Sequence, residues 1–515
     1  MDKVTIKKGV GVLGIVGFLR YLLEVIKGVL IGSFFGISLN VDLYYAGKSI
    51  PEYMSSLFGS ASYSALLPNY PSENVKKGER EKVLLSVLIP LSIISLVVIF
   101  FGITFNEEII GFIYPNYGFE SKEFAAKIFA IFSIIAILRI EFEIIKSYFY
   151  SNYKFIVPAA LMILNPLLAI FMVLIWGKAI GIIAVAYGVL IGTLVSVVLL
   201  LAHLVSLNNF RFHTQIDLSI TKKVFSLLLP LAIGSLAYQL NLVIDRIFAS
   251  SLVVGSISAL QYGYIIFILP HVLLNTPIND TLFPGIAKTV KKQDFSSLNR
   301  LLKKSLRIFF LVGFYIQWYL FFYREEIISI VYGRGEFDAR AVSMASTVLV
   351  YYSLGFVFLA ANGLFVRILM STQFKKALFF LGIMSITINY VGDWILSIYF
   401  NYSGIAFTTT IVNVSWFIFA YFWIKKKVGF DFDLSDILFF LKLLLSSILA
   451  VSSSYYFSNI VIDRIFPSGM ISNFSLLLVG GIISGFIYSI LLWRTDEFKY
   501  LKLEIWNFFP WKRVS

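Results

Sequence analysis

The chain has 515 residues, of which 59% are hydrophobic and 14% charged, with a net charge of +14 and no cysteine. Soluble domains carry about 25% charged residues, so a single water-soluble core is excluded. The missing cysteines also exclude disulfides and thiolate metal centres. The basic residues stand in short clusters between apolar runs, a pattern of membrane topology rather than of a nucleic-acid-binding face.

Apolar runs of about 20 residues, long enough to cross a bilayer as helices, recur along the whole chain. Spans are predicted near 9–33, 41–66, 83–105, 122–148, 155–176 and 180–204. A second set lies near 223–249, 256–286, 304–323, 340–370, 376–399 and 403–424, and two more near 437–457 and 472–493. This describes an all-α polytopic membrane protein of about 14 transmembrane helices. Lys3, Lys7 and Lys8 precede the first run, but that run contains Arg20, Glu24 and Lys27 and lacks a small-residue cleavage site. It therefore reads as a retained span rather than a signal peptide.

The connections test this segmentation. The N-terminus, 67–82, 146–154, 205–223, 287–304, 371–376, 425–436 and the tail hold about 28 Lys and Arg, against about six in the alternate loops. Both termini are expected in the cytoplasm, in a multi-pass protein of the cytoplasmic (inner) membrane. The tail 494–515, with Trp506, Phe508, Phe509 and Trp511 among lysines, is expected to lie along the inner interface.

An internal repeat relates the first twelve spans. Glu107-Glu108-Ile109-Ile110, Tyr114 and Phe119-Glu120 recur 218 residues later as Glu325-Glu326-Ile327-Ile328, Tyr332 and Phe337-Asp338. Leu67-Pro68 followed by Lys76-Lys77 likewise echoes Phe283-Pro284 followed by Lys291-Lys292. Six spans per unit is an even number, so two six-helix lobes share one orientation, with two C-terminal helices outside the repeat. The expected domains are an N-lobe at 1–204, a cytoplasmic linker at 205–222, a C-lobe at 223–424 and a last helix pair within 425–493. Two such lobes suit alternating access to a central cavity.

Ionisable groups inside a bilayer need partners or a wet cavity. Span 1 carries Arg20, Glu24 and Lys27 on one helical face. Span 2 adds Asp42, then Lys48 and Glu52 at i, i+4. Facing one another, spans 1 and 2 would form a mixed-charge wall with cations available for a phosphate; mutual salt bridges that only hold helices together are the alternative. Arg139, Glu141, Glu143 and Lys146 of span 4 read mainly as groups snorkelling to the cytoplasmic interface.

The second lobe has a different set. Asp245, Asn389, Asp393 and Thr409 fall at similar depth in spans 7, 11 and 12. Two carboxylates, an amide oxygen and a hydroxyl are hard-oxygen donors suited to Na⁺, with a backbone carbonyl as a fifth ligand. Alternatively, Asp245 pairs with Arg246, or Asp393 caps a helix end. Enzymatic signals fail: Gly47-Lys48-Ser49 lies inside a span, and His203, His213 and His271 are scattered without metal-ligand spacing. No cofactor is expected beyond a bound Na⁺, and a transporter is expected rather than an enzyme.

Phe35-Gly36 with Asp42, Pro51, Leu57-Phe58 and Pro68 resembles the first two spans of the MurJ (MviN) lipid II flippases of the multidrug/oligosaccharidyl-lipid/polysaccharide exporter superfamily. Tyr332-Gly333-Arg334-Gly335-Glu336-Phe337-Asp338 is similar to that family's G-R-G-x-F-D segment, and Gln239 to Ser251 with Gly255-Ser256-Ile257-Ser258 to its span 7–8 region. The resemblance implies a flippase moving a polyprenyl-pyrophosphate-linked saccharide outward, with first-lobe cations on the pyrophosphate and spans 13–14 as a lipid-tail groove. By position it carries over Lys27 and Asp42, places Arg20 one residue off a family arginine, and implies Na⁺ at Asp245, Asn389, Asp393, Ile405 (by its carbonyl) and Thr409. Ser55, Ser60 and Tyr264-Ile265 depart from the family's charged residues. A different lipid-linked oligosaccharide would account for that change.

The expected function is therefore translocation of lipid II or a related cell-envelope precursor, coupled to Na⁺ or membrane potential, through Arg20, Glu24, Lys27, Asp42, Lys48 and Glu52. A surface-polysaccharide (O-unit) flippase and a cation-coupled multidrug antiporter are the alternatives. The expected partners are the lipid-linked saccharide pyrophosphate and membrane lipids, with no nucleic acid, and the expected state is a monomer.

Overall fold

The computed structural model describes residues 3–71, 78–206, 216–275, 285–465, 469–493 and 495. Among these, every regular element is a helix. The helices divide into two compact units, Met1–Ser258 with Arg334–Phe337 and Ala259–Gly333 with Asp338–Ser515.

The first unit contains α1 (Lys3–Phe35), α2 (Leu39–Leu66), α3 (Glu79–Thr104), α4 (Asn106–Ile113), α5 (Phe119–Ser151), α6 (Ile156–Leu161), α7 (Leu164–Ile180), α8 (Ile183–Ser206) and α9 (Leu218–Ala249). It also holds the start of α10 (Ser256–Pro270). α2 lies against α5 and α9, α5 against α3 and α8, and α7 against α8, while α1 packs on α6 and α7. The span 156–180 breaks between α6 and α7, where Pro166 has no N–H to offer the Met162 carbonyl.

Two glycines one turn apart let α8 approach α7 closely. A Cβ on Gly188 would come within 2.5 Å of the Ala169 Cα, and one on Gly192 within 2.8 Å of the Asn165 Cα. Small residues at such a crossing let the helix backbones make the van der Waals contact that drives association in lipid. The N-terminal end of α9 is tied to α3: Asp217 caps α9 through the Ser219 and Ile220 amides and pairs with Lys82 at 2.9 Å. Thr221 Oγ1 also donates to the Ser86 carbonyl at 2.6 Å. Division by packing thus keeps α9 in the first unit, one helix beyond the lobe boundary expected from the repeat.

The Gly-Arg-Gly segment has a steric reason. Gly36 and Gly335 take φ of 59° and 61°, and the Glu336 N–H donates to the Ser33 carbonyl at 2.9 Å. A Cβ on either glycine would strike the facing carbonyl, of Glu336 or Ser33 respectively.

In the second unit, Phe295–Phe322 packs on Leu434–Ile465 and on Phe356–Ser371, and Lys375–Phe400 on Tyr402–Val428. Its core gathers Leu302, Phe310, Phe314, Val357, Phe365 and Phe430. The helices Ala339–Ser353 and Phe356–Ser371 meet at a bend of 49°. Thr410 Oγ1 satisfies the Tyr351 carbonyl near that bend at 2.6 Å.

Among the described residues, nine helices are long and apolar enough to cross a membrane, or ten with the bent pair as one span. The other four expected spans coincide with α1, α2, α5 and α9, helices of 33, 28, 33 and 32 residues. The repeated motif falls on matching elements: α4 follows α3 as Arg324–Tyr332 follows Phe295–Phe322, and Tyr114 and Tyr332 are both fully buried. Lys76, Lys77, Phe283, Pro284 and the tail from Arg494, except Thr495, lie outside the described residues, as do residues 207–215 of the linker.

Candidate functional site

Polar residues that the apolar code cannot explain converge on one cavity of about 580 Å³ within the first unit. Arg20 and Glu24 reach it from α1, Glu52, Ser55, Ser56 and Ser60 from α2, and Arg139 and Glu143 from α5. Asn165 of α7, Thr193 and Ser196 of α8, and Tyr238 and Gln239 of α9 complete the polar wall.

Glu52 organises the charges. Its Oε2 receives Lys48 Nζ at 2.9 Å, one turn back on α2, and its Oε1 receives Arg139 from α5 at 3.1 Å. The Lys48 ammonium also lies over the Tyr45 ring, 5.0 Å from its centroid. Glu24 pairs with Lys27 and Glu143 with Lys146, while Glu141 accepts from Ser92 Oγ at 2.8 Å. Five cations, Arg20, Lys27, Lys48, Arg139 and Lys146, thus meet four carboxylates. Arg20 is exposed and makes no salt bridge among the described residues. A guanidinium in that state retains its planar fork for a phosphate or carboxylate.

The opposite wall is neutral and donor–acceptor rich. Asn165 Nδ2 donates to Thr193 Oγ1 at 2.6 Å, and Thr193 Oγ1 donates to the Val189 carbonyl at 2.7 Å. Thr193 can therefore only accept from Asn165, which fixes the orientation of the amide. Asn165 Oδ1 is left buried without a partner among the described residues. A hydroxyl or amide N–H of a bound headgroup would satisfy it.

The sequence-predicted residues separate into three groups. Arg20, Glu24 and Glu52 line the cavity, and Lys27 and Lys48 stand behind it, paired with Glu24 and Glu52. Asp42 is elsewhere: it is buried, its Oδ2 accepts the Gly255 amide at 2.6 Å and its Oδ1 the Ser258 amide at 2.8 Å. It is used as a cap for the start of α10, because two backbone amides there lack helical acceptors. The span 4 charges were read as interfacial, yet Arg139 and Glu143 line the cavity. Sequence reasoning also missed Asn165, Thr193, Ser196 and Gln239; the available signal was single polar residues inside apolar runs.

The residues expected to hold Na⁺ divide between the units. Asp245 is a buried residue of α9. Asn389 and Asp393, one turn apart on Lys375–Phe400, are 1% and 0% exposed. Ile405 and Thr409 are one turn apart on the adjacent helix Tyr402–Val428, with Thr409 Oγ1 3.4 Å from the Ile405 carbonyl. Gly392 brings the two helices together: a Cβ there would meet Thr408 Cγ2 at 2.6 Å. A fully buried carboxylate with amide, hydroxyl and carbonyl oxygens on facing helices fits a hard monovalent cation and offers no soft ligand. Among the described residues, no group of three or more His, Cys, Asp or Glu could hold a metal ion.

The family model of lipid II flippase MurJ matches residues 31–474 of this chain. The probable lipid II flippase MurJ of Borreliella burgdorferi is 24% identical over 506 residues, covering 95% of this chain and 97% of that protein. That of Aquifex aeolicus is 29% identical, covering 65% of this chain and 66% of its own. Among solved structures, a lipid II flippase MurJ in an inward closed conformation matches with a TM-score of 0.80 at 24% identity, over 93% of this chain and 98% of that one. An inward-facing multidrug resistance transporter of the MATE family, in the MOP superfamily, matches with a TM-score of 0.64 at 13% identity, over 80% and 94%. These likenesses show a shared fold.

Proposed function

The chain belongs to the lipid II flippase MurJ family, and from that premise we propose that it carries a polyprenyl-pyrophosphate-linked saccharide from the inner to the outer leaflet of the cytoplasmic membrane by alternating access. It is a transporter rather than an enzyme. The observation that carries the substrate reading is the cavity: an Arg20 with no salt bridge among the described residues and a cation excess on one side, and an oriented amide and hydroxyls on the other.

Each wall has a task. A pyrophosphate entering the cavity would engage Arg20 first and then compete with Glu24 and Glu52 for Lys27, Lys48 and Arg139. The existing carboxylates keep those cations satisfied while the cavity is empty of substrate, which lowers the cost of holding them in the membrane. Saccharide hydroxyls would be read by Asn165, Ser196 and Gln239, and the lipid tail would stay in the bilayer beside spans 13 and 14. The alternating clusters of Lys and Arg support a reading with both termini in the cytoplasm.

For coupling, Asn389, Asp393, the Ile405 carbonyl and Thr409 would hold Na⁺ within the second unit. A bound Na⁺ would supply positive charge that neutralises Asp393; these residues would fix its position through four oxygens. Ser55 and Ser60, neutral where relatives of this kind carry charge, favour a second reading in which the saccharide is a surface-polysaccharide unit rather than lipid II.

The test is rescue of a bacterial strain depleted of its own lipid II flippase. Growth with this chain, lost on Arg20→Ala with protein level unchanged, is the expected result. Full rescue by Arg20→Ala would remove the cavity assignment, and no rescue by the native chain would favour the polysaccharide unit.

A further inference from the structure

One buried carboxylate takes no part in this transport scheme. Glu325 and Glu326 open the short helix Arg324–Tyr332. The Glu325 side chain is 64% exposed, whereas Glu326 is 8% exposed. The internal repeat provides a comparison within the same chain, because the matching Glu108 of α4 is exposed. The difference lies in what covers each short helix. Arg324–Tyr332 packs against Met470–Leu492, a helix outside the repeat, and Asn473 Nδ2 of that helix donates to Ser329 Oγ at 3.0 Å. α4 has only α3 and α5 as its main neighbours. The last two helices are thus what buries Glu326.

Those helices are fastened by a seam of tyrosines that ends at this carboxylate. Tyr315, Tyr319 and Tyr323 recur every four residues with stacked rings, their centroids 6.1 and 4.7 Å apart. Tyr315 Oη lies 2.9 Å from Ser484 Oγ, Tyr319 donates to the Leu477 carbonyl at 2.7 Å, and Tyr323 Oη lies 3.3 Å from Ser458 Oγ. Tyr455 of Leu434–Ile465 lies beside the Glu326 carboxyl. Glu326 Oε2 is buried with no partner among the described residues.

No salt bridge among the described residues reaches Glu326, and its neighbours Glu325 and Arg324 act on it in opposite directions. Tyr319 and Tyr323 face it from the preceding span and Tyr455 from Leu434–Ile465, all neutral at ordinary pH. On its own helix, Arg324 lies 3.7 Å from Glu325 and donates to the Phe321 carbonyl. Met470–Leu492 has no charged residue, and Arg340 of the packed helix Ala339–Ser353 lies in the field of Tyr402. Ionising a carboxyl in such a place is costly, whereas the acid is neutral and gains a donor. Burial accordingly holds the Glu326 carboxyl above the ordinary glutamate value.

We propose that Glu326 is a proton-binding site: a proton on Oε2 lets the carboxyl stay buried beneath spans 13 and 14, and losing it to water loosens their seat. With the orientation proposed above, the pH outside the cell then sets how firmly the two helices are held. Only that sidedness rests on the flippase reading; the site itself does not.

The full chain in lipid nanodiscs tests this without any substrate. Because the folded pKa exceeds the unfolded one, stability is greatest at low pH and falls as pH rises through the folded value. Thermal unfolding of the native chain should drop by on the order of 1–3 °C from about pH 5 to about pH 8, beyond any change seen in Glu326→Gln. Glu326→Gln should be the more stable of the two at the upper end, and Glu325→Gln should titrate like the native chain. Infrared titration should show one protonated carboxyl band that Glu326→Gln lacks and that Glu326→Asp retains with a displaced midpoint. The same pH slope in Glu326→Gln as in the native chain, or loss of the slope in Glu325→Gln, would overturn the proposal. Should Glu326→Gln not fold, an unshifted midpoint in Glu326→Asp would do so. Failure of rescue in the depleted strain leaves all these readings unaffected, so the two ideas fail separately.

Discussion

Arg139 of α5 donates to Glu52 of α2 at 3.1 Å, joining two helices whose partners are 87 residues apart in the chain. With their side chains 28% and 29% exposed, the two residues are partly buried. Pairs of this kind contribute through what happens when one member is removed.

Arg139→Ala and Glu52→Gln should each lower thermal stability and transport, because each leaves its partner's charge less compensated. The double variant should recover part of the loss, with a coupling energy on the order of 1 kcal/mol in a double-mutant cycle. Strictly additive losses would show that the pair is incidental.

Arg20→Ala should behave differently. This residue makes no salt bridge among the described residues, so unfolding should shift by no more than about 0.5 kcal/mol while transport is lost. Lys27→Ala should lose transport as well but with a larger stability cost, since it strands Glu24. A purified-protein melt beside the rescue assay separates the two outcomes.

Gly192→Val should separate α8 from α7 and disturb the Asn165–Thr193 hydrogen bond. The expected cost is about 1–3 kcal/mol from overpacking, read as a lowered melting temperature. Gly181→Ala tests the contrast: a Cβ there meets nothing within 4 Å, and its penalty comes only from φ of 68°.

Na⁺ should raise the melting temperature of the native chain relative to K⁺ at equal ionic strength, and Asp393→Asn should abolish that difference. An Asp393→Asn protein that still responds to Na⁺ would move the site elsewhere.

Asp217 gives a pH prediction at the N-terminal end of α9. The Ser219 hydroxyl and then Lys82 hold its carboxyl well below the usual carboxylate range. Its contribution is therefore present above the ordinary aspartate pKa and is lost as pH falls through the depressed value. Hydrogen exchange at residues 218–228, corrected for intrinsic rate, should be flat at neutral pH and rise only in strong acid. Asp217→Asn should raise it throughout.

The sequence by itself determined the helical class, the repeat and the charged inventory of the first lobe. Each follows from local rules: an apolar run must become a helix in lipid, and a Lys or Arg cluster stops at the inner face. The pairing of Lys48 with Glu52 was legible for the same reason, since residues four apart share a helical face. Which charges meet across helices was decided only by tertiary packing. Asp42 carries the same charge as Glu52, yet it is consumed by the Gly255 and Ser258 amides, more than 200 residues away. Arg139 looked interfacial from its spacing until α5 was placed beside α2, and Asn165 meets Thr193 because Gly188 and Gly192 let α8 approach α7. Side-chain chemistry and helical periodicity are local quantities, whereas a binding site depends on which helix faces are brought together, and that depends on the close approaches that small residues permit.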